Sequence, residues 1–293
     1  MKTTELNGSW TFRKAGDKAW LPARVPGSVH EDLLAAKKIP DPFYRLNELD
    51  VLWIDEADFE YRRPFTVSGS EYREEAHDLV FEGLDTVAEV FLNGTSVGKT
   101  DNMFRRWTFD VSKDLKEGAN EVRVVFKGAV KEGKRLAAEH GILPGGDSYH
   151  WGNGRSREVH RGYVRKAQYQ FGWDWGPCLA TAGIWKAVRI LHSSGPRIED
   201  VTVSTEGGRV NAVVHWRSPA AAEGILRLAL GGKKAETPVK VPRGESTSRA
   251  EIEIKNPELW WPAGHGAQKL YGLTVEGRGL GDTGTRRRGE KAR

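Results

Sequence analysis

The chain has 293 residues, enough for one large or two ordinary domains with a sizeable core. Its 34 glycines, 13 prolines and 11 tryptophans favour an all-β protein rich in turns over a helical one. The net charge of +5 belongs to the last eight residues, Arg286-Arg-Arg-Gly-Glu-Lys-Ala-Arg293; without them 40 basic residues face 39 acidic ones, and no basic face remains to track nucleic-acid phosphates.

Cys178 is the sole cysteine, which excludes an internal disulfide, and its place in a Trp-rich run predicts a buried thiol. No run of 18 apolar residues occurs, and Met1-Lys-Thr-Thr-Glu-Leu-Asn-Gly8 has no apolar stretch. The expectation is a cytoplasmic protein with neither a membrane span nor a secretory signal.

In chain order, Ser28-Val-His-Glu31 before Leu33-Leu34 is a capping-box pattern that predicts a short helix to about Lys38. Phe59-Glu-Tyr-Arg-Arg-Pro-Phe65 reads as a strand that Pro64 keeps near an edge or end. Residues 77–82 and 87–92 read as strands, and Asn93-Gly94 after the second is a strong hairpin signal. Residues 106–111 and 120–126 continue the strand pattern, 131–140 read as a short helix, and 141–154 as a Gly/Pro-rich loop placed to serve a site. A closing strand falls at 183–191, and a boundary near Ser193-Ser-Gly-Pro196. Five short alternating strands follow, at 198–203, 209–216, 224–230, 250–254 and 269–276, with the spacing of an immunoglobulin-type sandwich.

His140, His150 and His160 recur every ten residues, a spacing that fits no zinc pattern, so no metal site is expected. Asn47-Glu48 and Asn120-Glu121 are Asn-Glu pairs with ordinary loop and turn contexts, and no Ser–His–Asp or phosphate-loop pattern is present. The densest chemistry lies in Gln168-Tyr-Gln-Phe-Gly-Trp-Asp-Trp-Gly-Pro177, where Phe171, Trp173 and Trp175 alternate with Gly172 and Asp174. An extended segment puts the three rings on one face; a bent one can bring rings and carboxylate together. Indole faces suit the C–H faces of a sugar, and a carboxylate accepts hydrogen bonds from neighbouring hydroxyls. A buried aromatic strand with a satisfied Asp is the structural alternative.

This segment resembles the motif of the β-mannosidases of glycoside hydrolase family 2, and the resemblance extends over about residues 5–289. It is carried by Leu6-Asn-Gly-Ser-Trp10, Trp20-Leu-Pro-Ala-Arg-Val-Pro-Gly-Ser-Val-His30, Ile39-Pro-Asp-Pro-Phe43, Phe81-Glu-Gly-Leu-Asp-Thr86, Val90-Phe-Leu-Asn-Gly94, Asp101-Asn-Met-Phe104, Asn256-Pro-Glu-Leu-Trp-Trp-Pro262 and Gln268-Lys-Leu-Tyr271, in order. It implies an all-β chain: a jelly-roll, galactose-binding-like sandwich over 1–194, an incomplete immunoglobulin-like sandwich over 195–285, and a divergent basic tail over 286–293.

The resemblance further implies that Trp173 and Trp175 wall a terminal-mannose pocket while Asp174 holds sugar hydroxyls, with no metal or organic cofactor. In the family, two glutamates on a following (β/α)8 barrel run a retaining hydrolysis, which needs carboxyl groups about 5 Å apart. Such a barrel takes about 250 residues, and 17 remain after Glu276. No catalytic residue is therefore assigned here, and the missing barrel is the expected packing partner. Glu290-Lys-Ala-Arg293 is hydrophilic where the family continues with apolar residues, so a truncated or frame-shifted reading frame is expected. The alternatives are a free-standing carbohydrate-binding module and a non-functional gene product.

Overall fold

The computed structural model describes residues 1–145, 148–151, 155–280 and 286–288. The chain folds as two compact units, one of Thr3–Arg73 with His77–Leu191, the other of Met1–Lys2, Glu74–Ala76 and His192–Arg293.

In the first unit an antiparallel six-stranded sheet runs in the order Leu21–Val25, Gly8–Lys14, Phe59–Val67, Gly118–Phe126, Val87–Leu92, Thr95–Asp101. A four-stranded sheet, most of whose residues belong to this unit, has the order Lys2–Glu5, Val188–Ser193, Ala76–Phe81, Trp107–Asp110. Period-two alternation places Val122, Val124 and Phe126 inward, where they join Trp10, Phe12, Tyr61 and Val90 of the same sheet. Leu79, Phe81, Val188 and Ile190 of the four-stranded sheet complete that cluster, as a two-layer sandwich requires. This is the jelly-roll expected from the sequence.

Asn93-Gly94 makes the expected hairpin turn between Leu92 and Thr95, with Asn93 at φ 51° and Gly94 at φ 88°. The Asn93 amide also donates to Asp114 O and Asn120 Oδ1, both at 2.8 Å, so the turn residue cross-braces two further loops. Pro64 lies in a strand interior to its sheet, but Phe59–Val67 pairs with Gly8–Lys14 only as far as Arg62. Beyond Arg62 these two strands no longer pair, so on that side Pro64 interrupts no ladder.

Ser28 caps the helix Val29–Ala35, accepting from Glu31 N at 3.4 Å and donating to Glu31 Oε2 at 2.9 Å. The complete reciprocal box forms at Ser68 and Glu71, on the short helix Gly69–Tyr72 that the sequence reading passed over. His30 on the first helix is buried, and burial, with Lys166 second, pushes its imidazole down to about 4 while Asp85 pulls the other way. The unfolded chain therefore binds the proton that the folded chain refuses, and stability falls as pH drops from about 6.5 to about 4. A shift of this size corresponds to about 3 kcal/mol at 1.36 kcal/mol per unit. Urea unfolding of His30→Gln should show a shallower loss between pH 7 and 4.5 than the parent; an unchanged slope would assign the acid sensitivity to other groups.

In the second unit Arg197–Glu206, Arg209–Ser218 and Gly244–Glu253 form one sheet, and Lys233–Val241, Ala222–Leu230, Leu273–Arg278 and Arg286–Arg288 the other, each in that order. Val214, Trp216, Leu226, Leu228, Ile252 and Val275 fill the space between them. The strand Lys233–Val241 was missed because lysines and Pro238 mask it; it is an edge, where both are tolerated. Arg286–Arg288, read from sequence as the start of a tail, pairs with Thr274–Glu276, while residues 289–293 lie outside the described residues. The predicted strand at 183–191 forms only over Val188–Ser193, since 183–187 is tied instead by the isolated Asp85–Gly183 bridge.

Candidate functional site

The predicted helix forms over Ala129–His140, and Ser148–Trp151, within the predicted Gly-rich loop after it, is a strand. Ser148–Trp151 pairs antiparallel with Arg155–Glu158, while 146–147 and 152–154 lie outside the described residues. Arg157 fastens this hairpin down. It donates to both Asp55 oxygens, the Nη1–Oδ2 contact at 2.9 Å, and to Leu52 O at 3.1 Å. Burial still holds the Asp55 carboxyl up at about 6 against the pull of Arg157. A small apolar cluster lies beneath, made by Ala129 and Val130 of the helix with Val159, Val164, Phe171 and Ala180, and Tyr149 packs against it.

On this platform the aromatic run does not extend. Gln168–Phe171 is a 3₁₀ turn, and Trp173 and Gly176 then exchange backbone bonds of 3.2 and 3.3 Å, closing a tight turn with Asp174 and Trp175 at its tip. Gly172 makes the bend possible: its φ is +97°, and a Cβ there would sit 2.6 Å from the Tyr149 ring. The three rings consequently separate. Phe171 is fully buried, whereas Trp173 is 43% and Trp175 69% exposed. Asp174 is exposed too, and among the described residues no side chain donates to its carboxylate. A buried strand with a satisfied Asp is not what forms.

The exposed rings are held from the side. The Arg161 guanidinium lies 5.4 Å from the Trp173 ring centre, and Tyr169 and Trp175 are 5.3 Å apart with planes at 41°. The Tyr149 hydroxyl donates to Trp173 O at 3.3 Å. Burial first, then Glu48, Cys178 and Asp174, raise the phenol's pKa above its ordinary value, so it stays a donor. At the exit of the turn Glu48 Oε2 accepts from Cys178 N at 3.3 Å. Glu48 thus braces the turn, while Asn120 is spent on Lys116, Gly118 and Asn93. Burial and then Asp55 push the Cys178 thiol up to about 12, which excludes a thiolate nucleophile. Tyr149 and Arg161 were not singled out from the sequence; Tyr169 lay within the quoted aromatic run without a role, and Glu48 was weighed only as part of the Asn47-Glu48 pair.

Behind the turn lies a buried ion pair. Lys166 Nζ is 2.9 Å from both oxygens of Asp85, and neither residue reaches solvent. A cavity of about 170 Å³ elsewhere, lined by Ile254, Pro257, Leu259, Trp260 and Tyr271, is mainly apolar and has the Lys269–Glu258 ion pair among its lining residues. Among the described residues no group of three or more His, Cys, Asp or Glu side chains could hold a metal, and no helix is long and apolar enough to cross a membrane.

The first of the two β-sandwiches thus presents a braced turn with exposed Trp173 and Trp175 beside the exposed Asp174. The glycosyl hydrolase 2 galactose-binding domain-like family matches residues 10–186, and glycosyl hydrolases family 2 matches 187–287. The chain belongs to glycosyl hydrolase family 2. It is 34% identical to a beta-mannosidase B of Aspergillus terreus and 34% identical to a beta-mannosidase of Capra hircus, in each case over 92% of this chain and 32% of the relative. The crystal structure of a beta-D-mannosidase from Dictyoglomus thermophilum superposes with a TM-score of 0.82 at 35% identity, covering 99% of this chain and 36% of that one. The chain thus spans about a third of the length of the relatives it matches, and corresponds to an N-terminal portion of family 2 β-mannosidases.

Proposed function

We propose that the first unit supplies one wall of a pocket for the terminal mannose of a β-mannoside, within an enzyme that performs retaining hydrolysis. Trp173 and Trp175 face the sugar ring, and Asp174 accepts hydrogen bonds from its hydroxyls. The observation that carries this reading is the turn: two exposed indoles beside an exposed carboxylate to which no side chain among the described residues donates, on a backbone fixed from several sides. The reacting glutamates belong to a barrel outside these 293 residues, and that barrel is the proposed packing partner. The division into a sugar-facing domain over 1–194 and a second sandwich over 195–285 belongs to the same proposal, as does a cytoplasmic location, which a single unpaired thiol suits.

The test compares the purified 293-residue chain with a chimera in which the remaining portion of the Dictyoglomus thermophilum enzyme is joined to it. On a chromogenic β-mannoside the chimera should turn over and the chain alone should not. Turnover by the chain alone that disappears on changing one of its own glutamates would overturn this division of labour.

A further inference from the structure

We propose that Asp85 is a positioning residue: one buried carboxylate clasps both ends of the segment that carries Trp173, Asp174 and Trp175, and thereby sets the shape of the sugar-facing turn. The assignment of that turn to sugar rests on the function proposed above; the clasp itself rests on geometry. The segment 167–180 leaves and returns at two residues, Lys166 and Thr181, and both point at Asp85. Lys166 Nζ donates to Asp85 Oδ1 and Oδ2 at 2.9 Å each, and to Thr181 O at 2.6 Å. The Thr181 hydroxyl donates to Asp85 Oδ2 at 2.7 Å, with Gln170 Oε1 of the segment at 3.2 Å. Asp85 is itself held by backbone bonds to Gly183 in both directions, each 2.9 Å, and by the Thr86 hydroxyl. Thr86 is in turn fixed by Thr100, whose hydroxyl donates to Thr86 O at 2.8 Å.

Three features single this arrangement out from an ordinary buried ion pair. The lysine ammonium spends one of its three donors on the opposite end of the same segment, closing the base of the loop directly. Desolvation is severe for both charges, so the pair is retained only where its full set of partners is present. A second anchor, Ala167 N on Met103 Sδ at 3.0 Å, lies beside the first. Among the described residues no hydrogen bond joins Trp173, Asp174 or Trp175 to these groups, so the base acts on the tip through the backbone between them.

Hydrogen exchange on the full 293-residue chain tests this without any sugar. Thr181→Val keeps the shape and removes the hydroxyl; Thr181→Ser keeps the hydroxyl. In Thr181→Val, the hydrogen-bonded amides of Gln170, Gly172, Trp173, Gly176 and Leu179 should exchange about tenfold faster. The strand Gly118–Phe126 should keep its parent rate, and Thr181→Ser should restore parent exchange in the segment. No change in the segment, an equal rise in the strand, or acceleration that Thr181→Ser shares would each overturn the clasp. A chimera that keeps full activity as Asp174→Ala would defeat the sugar assignment instead and leave the exchange result standing.

Discussion

Asp174→Ala in the active chimera is expected to lower kcat/KM by about ten- to more than a hundredfold while the melting temperature stays where it was. The carboxylate sits at the tip of a two-residue turn and is exposed. Its removal therefore leaves no buried donor unsatisfied, and the structural cost should be small. A hydrogen bond to a charged acceptor contributes roughly 1.5–3 kcal/mol, and 1.36 kcal/mol is a factor of ten in rate. Asp174→Asn keeps one acceptor oxygen and should fall between parent and alanine. Kinetics and melting curves on the same samples decide the matter: if activity falls only in proportion to folded protein, Asp174 is scaffold and the proposed pocket wall is wrong.

The largest loss of stability should come from Asp85→Asn. Lys166 is fully buried, and burial already lowers its pKa despite Asp85 beside it. Removing the counter-charge leaves an ammonium without compensation, a change that costs about 3–5 kcal/mol. For a unit of this size that corresponds to roughly 6–20 °C in melting temperature. The double variant Asp85→Asn with Lys166→Met should cost less than Asp85→Asn alone, because no buried charge is then stranded. The pH dependence has a defined sign. A lysine with a depressed folded-state pKa binds its proton more weakly in the folded chain, so Asp85→Asn should regain stability as pH rises toward 10. A single variant no less stable than the double would show that the pair does not hold the fold.

Most of the strands were legible because each side of these sandwiches is half buried, and alternation in 120–126 or 209–216 reports that directly. What escaped has physical reasons. Lys233–Val241 is an edge strand whose polar face outweighs Ala235, Val239 and Val241. Ser148–Trp151 and Arg155–Glu158 are four residues each, too short for a period to show. At the site, the three residues read from sequence do lie on one turn, but the bend between Phe171 and Trp173 depends on a contact between Gly172 and Tyr149, 23 residues apart. No local pattern reports such a contact. The link between Asp85, Lys166 and Thr181 was equally illegible: Asp85 lies in a motif that carries the resemblance, but polar residues far apart in sequence read as solvated until a fold buries them together.

Cys178 gives the chain a built-in clock. It is the sole cysteine, 1% exposed, and its Sγ lies 3.3 Å from Phe171 O, across the turn. An alkylating reagent can reach that sulfur only when the turn lifts from its platform or the unit unfolds. Labelling of the native chain under limiting reagent therefore counts openings of the turn, with no other thiol to contribute background. Comparing that rate with the rate of global unfolding yields the free energy that separates a lifted turn from a seated one, a quantity inaccessible in a protein with several cysteines.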